Sequence, residues 1–226
     1  METSLHRQLK EMYADENAQT EVPLAGYRID AINRGLLIEI QHGPLSAIRD
    51  KIRQLLKEHR VLIVKPIVAE KMLVKQDAKC GQVVSRRKSP KRGNLLDLFD
   101  ELVHFTRVFP HKRLVIEVAM VTVEEWRYPG HGRRRRHREN DHQVEDQRLV
   151  EIREVHRFRT AADLRRLLPR RLPRPFHTGQ LAERMDIDRW VAQRIVYCLR
   201  NMGTIRAVGK QGNAHLYEFA AAERAA

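Results

Sequence analysis

A chain of 226 residues with 42% hydrophobic side chains is long enough to bury a core in one large domain or two modest ones. No apolar run approaches the roughly 20 residues of a membrane-spanning helix, the opening METSLHRQLKEMYADE lacks the apolar centre of a secretory signal, and Cys80 and Cys198 stand far apart without metal-ligand spacing. These features argue against a disulfide scaffold, a zinc ribbon and a helical membrane protein, and they predict a cytoplasmic location; the 43 Lys and Arg against 29 acids, a net +14, point to a polyanionic partner, nucleic acid first.

In chain order, Leu5, Leu9 and Met12 at helical spacing predict a helix over residues 3 to 14. Residues 20 to 24, 27 to 32 and 36 to 41 read as three short strands, with turns at Gly26 and Asn33-Arg34-Gly35. Gly43-Pro44 opens a second helix, to about residue 58, whose apolar stripe is Leu45, Ile48, Ile52, Leu55 and Leu56. The run VLIVKPIV reads as a strand covered on both faces, and a helix leading into it implies a crossover and an α/β core. Residues 71 to 85 read as a hairpin, the basic turn from Arg86 to Gly93 precedes an amphipathic helix from Asn94 to Phe105, and LVIEVAMVTVEE gives another long strand. The pattern stops at Trp126, so the first domain is expected to span residues 1 to 126.

From Arg127 to Arg174 there are 15 arginines, no lysine and 7 acids, a local balance of +8. Within it GHGRRRRHREN has no apolar periodicity, and residues 127 to 159 are expected to form a solvated, arginine-rich linker. Order returns over residues 160 to 222: the helices TAADLRRLLP, HTGQLAERM capped by Thr178, and DRWVAQRIVYCLRNM capped by Asp188 and ended at Gly203, then the strands TIRAV and HLYEF around GKQGN. Three helices and a β-hairpin is the order of a winged helix-turn-helix.

In the third of these helices Val191, Ile195, Cys198, Leu199 and Met202 form the apolar stripe. That leaves Arg189, Gln193, Tyr197 and Arg200 along a face suited to a major groove, or to a protein partner. Arg206 and Lys210 beside the hairpin turn, Arg133, Arg134, Arg135 and Arg136 in the linker, and Arg87, Lys91 and Arg92 in the basic turn are the further candidate contacts to nucleic acid.

Asp30 and Glu39 each interrupt an apolar strand. Asp30 alternates with Ile29 and Ala31 and is compatible with a solvent-facing position, whereas LLIEI is apolar on both sides of Glu39, where a buried carboxylate lacking a partner costs several kcal/mol. Two acids on paired strands also have the chemistry to share a divalent cation with an intervening carbonyl.

Asp30, then Glu39 and Gln41, behind a helix and ahead of a helix and strand in the order α-β-β-β-α-β, resembles the PD-(D/E)XK nuclease superfamily over roughly residues 1 to 67, and more loosely to about 125. The resemblance implies a restriction-endonuclease-like mixed sheet flanked by helices. It also implies Mg²⁺ or Mn²⁺ at Asp30, Glu39 and the carbonyl of Ile40, a water oriented by residue 41, and Glu11 as the extra acid of some branches. Gln41 stands where the superfamily usually carries lysine, and Ile29 where it carries proline. Glutamine bonds water but supplies no positive charge, so Lys65 on the next strand is the candidate substitute.

The function expected on this basis is metal-dependent DNA hydrolysis guided by a winged-helix module. A non-catalytic DNA-binding regulator that keeps the nuclease-like fold, and an RNA-cleaving enzyme, are the alternatives. Double-stranded DNA is the expected partner, and a homodimer is allowed.

Overall fold

A computed structural model of the chain describes residues 3–130 and 141–220. The first helix, α1 (Ser4–Tyr13), starts where the Thr3 hydroxyl accepts the His6 amide, and it buries Leu5 and Leu9 one turn apart. The strands β1 (Gln19–Leu24), β2 (Tyr27–Asn33) and β3 (Leu36–Ile40) follow as an antiparallel meander. Between β2 and β3 the chain reverses in two residues, Arg34 at φ 48° and Gly35 at φ 80°. Two successive left-handed residues are the backbone of the tight turn that matches strand twist, and that turn fixes the register Asn33↔Leu36, Ile32↔Leu37, Ala31↔Ile38.

The remaining elements are α2 (Arg49–Leu55), β4 (Arg60–Gln76), β5 (Val83–Lys88), α3 (Leu98–Leu102), β6 (Leu114–Pro129), β7 (His142–Phe158), α4 (Ala161–Arg165), α5 (Thr178–Met185), α6 (Arg189–Asn201), β8 (Ile205–Gln211) and β9 (Ala214–Phe219). Seven strands form one sheet in the order β1-β2-β3-β4-β6-β7, with β5 paired antiparallel to β4. The chain is thus an α/β protein with a mixed sheet flanked by helices.

Several expectations need correction. The second and third helices are shorter than their apolar stripes suggest, because each is entered through a 3-10 turn, Leu45–Ile48 and Leu95–Asp97. Asp97, not Asn94, precedes α3. The cap of α5 is His177, whose ring accepts the Gln180 amide while the Gln180 side chain accepts the His177 amide, so Thr178 is the first helical residue. VLIVKPIV and the first arm of the expected hairpin are one 17-residue strand, and Arg86, Arg87 and Lys88 lie in β5 rather than in a turn.

The largest difference lies in the expected linker. Residues 127–129 end β6, and the 17-residue β7 is its neighbour in the sheet. As the last strand of the sheet, β7 has Phe158 as its one buried residue and about half of its other side chains exposed. Its composition therefore reads as a charged coil. The run Arg133 to Arg136 lies outside the described residues.

Contacts divide the chain into two units. One comprises Met1–His42, Ile63–Leu95 and Glu117–His156; the other comprises Gly43–Leu62, Leu96–Ile116 and Arg157–Ala226. In the second unit α6 packs on α3, α4, α5 and β8. Its buried face is Ala192, Ile195, Val196, Cys198 and Leu199; Val191 and Met202, expected in that stripe, are only half-buried. The Phe176 ring packs against Tyr217 and Phe219 of β9, at 6.2 and 5.5 Å between centroids. Among the described residues no helix is long and apolar enough to cross a membrane.

Candidate functional site

The turn after β2 sets the site. Directly opposed residues of an antiparallel pair share a face, so Ile32↔Leu37 puts Asp30 and Glu39, each two residues further out, on one face of the sheet. Pairing between β2 and β3 stops at Ala31↔Ile38. The Ile40 amide, which an unbroken ladder would point at the opposite main chain, donates instead to Asp30 Oδ2 at 2.7 Å. Asp30 is thus the cap on a ladder that opens, and β2 continues alone on β1 through Leu24↔Tyr27.

The same face extends across β4 and β6. From α1, His6 Nε2 lies 3.4 Å from Asp30 Oδ1, and the Tyr13 hydroxyl donates to Glu117 of β6. Glu117 and Glu125 share a face by alternation, and Glu125 pairs with Lys71 of β4, which shares its face with Lys65. One sheet face beneath α1 therefore presents Asp30, Glu39, Lys65 and Glu117 on four neighbouring strands. Glu39 and Lys65 are each 4% exposed and Glu117 2%. Asp30, Gln41 and His42 are only partly covered and form the rim through which solvent reaches the row.

Gln41 continues β3 by donating its amide to Val64 O at 2.8 Å, and Lys65 Nζ donates to His42 O at 3.2 Å. The lysine ammonium therefore stands at the end of β3, beside position 41. Burial, with Lys65, Lys71 and His6 close by, lowers the His42 imidazole below its ordinary pKa, so it is neutral near pH 7.

Further along the face, the buried Glu125 carboxylate gathers Lys71, Arg127 and, at 2.8 Å, Gln147. Burial pushes its pKa up, but the hydrogen bonds from Lys71, Gln147 and Arg127 together outweigh burial and leave it below the ordinary value.

Glu11 does not join this row. It is exposed and lines a groove with Gln8, Met12 and Leu149–Ile152 of β7. Glu117, inside an apolar strand, reads from the sequence as a paired structural acid rather than a metal ligand, and the Tyr13 hydroxyl is one partner it meets. His6 and Tyr13 were not singled out, yet His6, Lys10 and Tyr13 recur at helical spacing beside Leu5 and Leu9, a polar stripe on the inward side of α1. Among the described residues no group of three or more His, Cys, Asp and Glu side chains is arranged to hold a metal ion.

The basic candidates divide. Arg92 pairs with Glu70, whereas Arg87 is exposed and no acid reaches it among the described residues. Lys91 is exposed, its amide bonded to Ser89 Oγ. In the second unit Arg189, Gln193, Tyr197 and Arg200 are all exposed on α6, as expected. Two further side chains share that helix surface: Trp190, 49% exposed, and Arg194, stacked 4.5 Å over it and paired with Asp100. Arg206 lies 3.5 Å from Glu218 across the β8–β9 hairpin, and Lys210 is exposed near its turn.

Residues 3–159 match the family described as Domain of unknown function (DUF8091). An "Uncharacterized protein" of Treponema pallidum (strain Nichols) is 27% identical over 218 residues, which is 96% of this chain and 84% of that protein. No solved structure matches the chain. The family match takes in α1 to β7, and with them the whole row from Asp30 to Glu117; the chain belongs to the DUF8091 family.

Proposed function

We propose that the chain is a metal-dependent DNA nuclease of the PD-(D/E)XK type, with α4 to β9 serving as a winged-helix DNA-binding module. The observation that carries the reading is the register of β2 and β3, which sets Asp30 and Glu39 on one face, with the Lys65 ammonium at the end of β3 beside Gln41. The oxygen donors suit Mg²⁺ or Mn²⁺, since such ions are commonly held by one or two carboxylates with water and phosphate oxygens completing the shell. Asp30, Glu39 and the Ile40 carbonyl would hold the ion, whose part in phosphodiester hydrolysis is to neutralise charge at the phosphate.

The chain's own groups supply the rest. The Gln41 side-chain amide orients the attacking water, and Lys65 brings the positive charge that glutamine lacks. The partly covered rim of Asp30, Gln41 and His42 admits the phosphate while the buried interior of the row keeps its charges strong. On α6, Arg189, Gln193 and Arg200 hold the duplex.

The test is isothermal titration of the whole protein with Mg²⁺ and Mn²⁺, beside cleavage of supercoiled plasmid and of a structured RNA with and without each ion. Binding of the ion together with metal-dependent nicking of DNA supports the reading. RNA cleavage alone would move the substrate class.

A second reading has its own observation. Asp30 Oδ2 is already engaged by the Ile40 amide, and no three-ligand group occurs among the described residues. Duplex binding without ion binding or cleavage would make the protein a DNA-binding regulator or scaffold that keeps the row as structure.

A further inference from the structure

We infer that the β4–β5 hairpin is a rigid arm that grips the phosphate backbone of duplex DNA on the same face as the candidate site, close to one helical turn away from it. The inference rests on the nucleic-acid reading above and adds a minimum length of substrate.

The face follows from alternation and register. Lys65, Lys71, Leu73 and Lys75 succeed one another on one side of β4. Leu73 is paired with Arg87 and Lys75 with Ser85, so Arg87 shares that side. Met72↔Lys88 and Val74↔Arg86 belong to the other side, and the ion pairs agree: Lys88 reaches Glu70 and Arg86 reaches Glu124, whereas Lys71 reaches Glu125.

The two sides also differ in how their cations are used. On the far side Arg86, Lys88 and Arg153 are each within 4 Å of an acid. On the side of the site Lys71 pairs with Glu125, but further out Lys75 and Arg87 are exposed, and no acid is within ion-pair distance of either among the described residues. Lys79, at the hairpin end, is exposed as well. Cations left without protein partners on the face that carries Asp30 and Glu39 are placed to be neutralised by the same polyanion.

The reach is fixed by the build of the hairpin. Lys65 and Lys75 are ten residues apart in one strand, which at about 3.3 Å per residue is roughly 33 Å, against 34–36 Å for one turn of the duplex. The end of the hairpin is tied down on both sides. Asp77 Oδ1 accepts the Ala78 and Gln82 amides, the buried Gln76 donates its side-chain amide to Gly81 O, and the Cys80 amide and thiol both bond Glu145 of β7.

The experiment measures binding of the full chain, in EDTA, to labelled duplexes from about 8 to about 24 base pairs, a series that brackets the ~10 base pairs of one turn. Wild type should show a step in affinity once the duplex exceeds roughly one turn. The double variant Lys75→Gln, Arg87→Gln, which keeps polar stems on an exposed surface, should lose about tenfold on the long duplexes, bind the shortest as wild type does, and lower the salt slope by about two, near 0.9 per phosphate contact. Equal weakening at every length, or wild-type binding at every length by a variant with an unchanged melting curve, overturns the arm. Wild-type protein that binds no duplex of any length overturns the nucleic-acid reading itself, and the arm with it.

Discussion

The carboxylate of Asp30 accepts the amide of Ile40 at 2.7 Å, at the point where β2 and β3 cease to pair. A charged acceptor to a partly buried amide contributes about 1.5–3 kcal/mol. Asp30→Ala should therefore destabilise the fold by about that much, whereas Asp30→Asn, whose carbonyl oxygen still accepts the amide, should cost clearly less. Urea unfolding of the two variants distinguishes them, and equal losses would show that charge, not the hydrogen bond, is what β3 needs from this residue.

Glu125 gives a pH dependence. Its folded pKa lies below the ordinary value of a glutamate, because the hydrogen bonds from Lys71, Gln147 and Arg127 prevail over burial. A depressed carboxylate stabilises fully above its unfolded pKa, and the contribution is lost as pH falls through the folded value. At pH 7 Glu125→Gln should cost about 3 kcal/mol or more, as breaking a buried ion pair does. Below about pH 4.5 wild type should lose stability faster than the variant, so the gap between their melting temperatures narrows with acid. A gap that stays constant from pH 7 to pH 3 would remove Glu125 from the acid-sensitive groups.

The strands around the site were legible because each carries its own local signal: Arg34-Gly35 for the turn, the apolar runs for β2, β3 and the buried half of β4. From that turn alone the placement of Asp30 and Glu39 on one face could have been worked out. What could not be seen was the far end of the sheet. β7 is an edge strand with one buried side chain, so nothing in its side-chain pattern separates it from a charged coil, and Tyr13, Lys71 and Gln147, which meet Glu117 and Glu125, come from elements over 20 residues away. The capping of α5 was missed for a different reason: histidine at the cap works through its ring nitrogen, a rarer device than the hydroxyl of the adjacent Thr178.

Burial raises the Cys198 thiol to about 12, with the Asp100 carboxylate adding to the effect, and its sulfur faces Phe99 O at 3.6 Å. It should stay protonated and inert at neutral pH. Cys80 is exposed, and although its bond to Glu145 also raises its pKa, reagent can reach it. Native protein treated with a chromophoric disulfide reagent should show one reacting thiol, mapped to Cys80, and a second only on unfolding. Two thiols reacting together in native protein would mean that α6 leaves α3 readily.

On α6, Arg189 and Arg200 are exposed on the helix surface whose other side builds the core of its unit. Arg189→Ala with Arg200→Ala should leave the melting temperature within a degree or two, lower duplex affinity about tenfold or more, and flatten the salt dependence by up to about two, near 0.9 per phosphate. Fluorescence anisotropy over a salt series reads both quantities. Wild-type affinity in the double variant would assign this surface to a protein partner.

Glu39 decides what the row beneath α1 is for. The residue is 4% exposed and shares its face with Asp30, and acids outnumber Lys65 among the four side chains that span β2, β3, β4 and β6. If the acids are kept to hold a divalent cation, Glu39→Gln preserves shape while removing one charge of an excess, so the metal-free protein should keep its stability to within about 1 kcal/mol. Ion binding should then stabilise wild type in a concentration-dependent way, by about 2.7 kcal/mol at a hundredfold excess over Kd, and the variant hardly at all. Plasmid cleavage should fall with it. If Glu39 is instead part of a structural ion network with Lys65, the substitution leaves a buried ammonium less compensated and costs about 3–5 kcal/mol whether or not metal is present. Melting curves of both proteins, in EDTA and in rising Mn²⁺, separate these outcomes. A loss that ignores metal would end the nuclease reading of the row and leave Asp30, Glu39, Lys65 and Glu117 as the polar frame on which α1 rests.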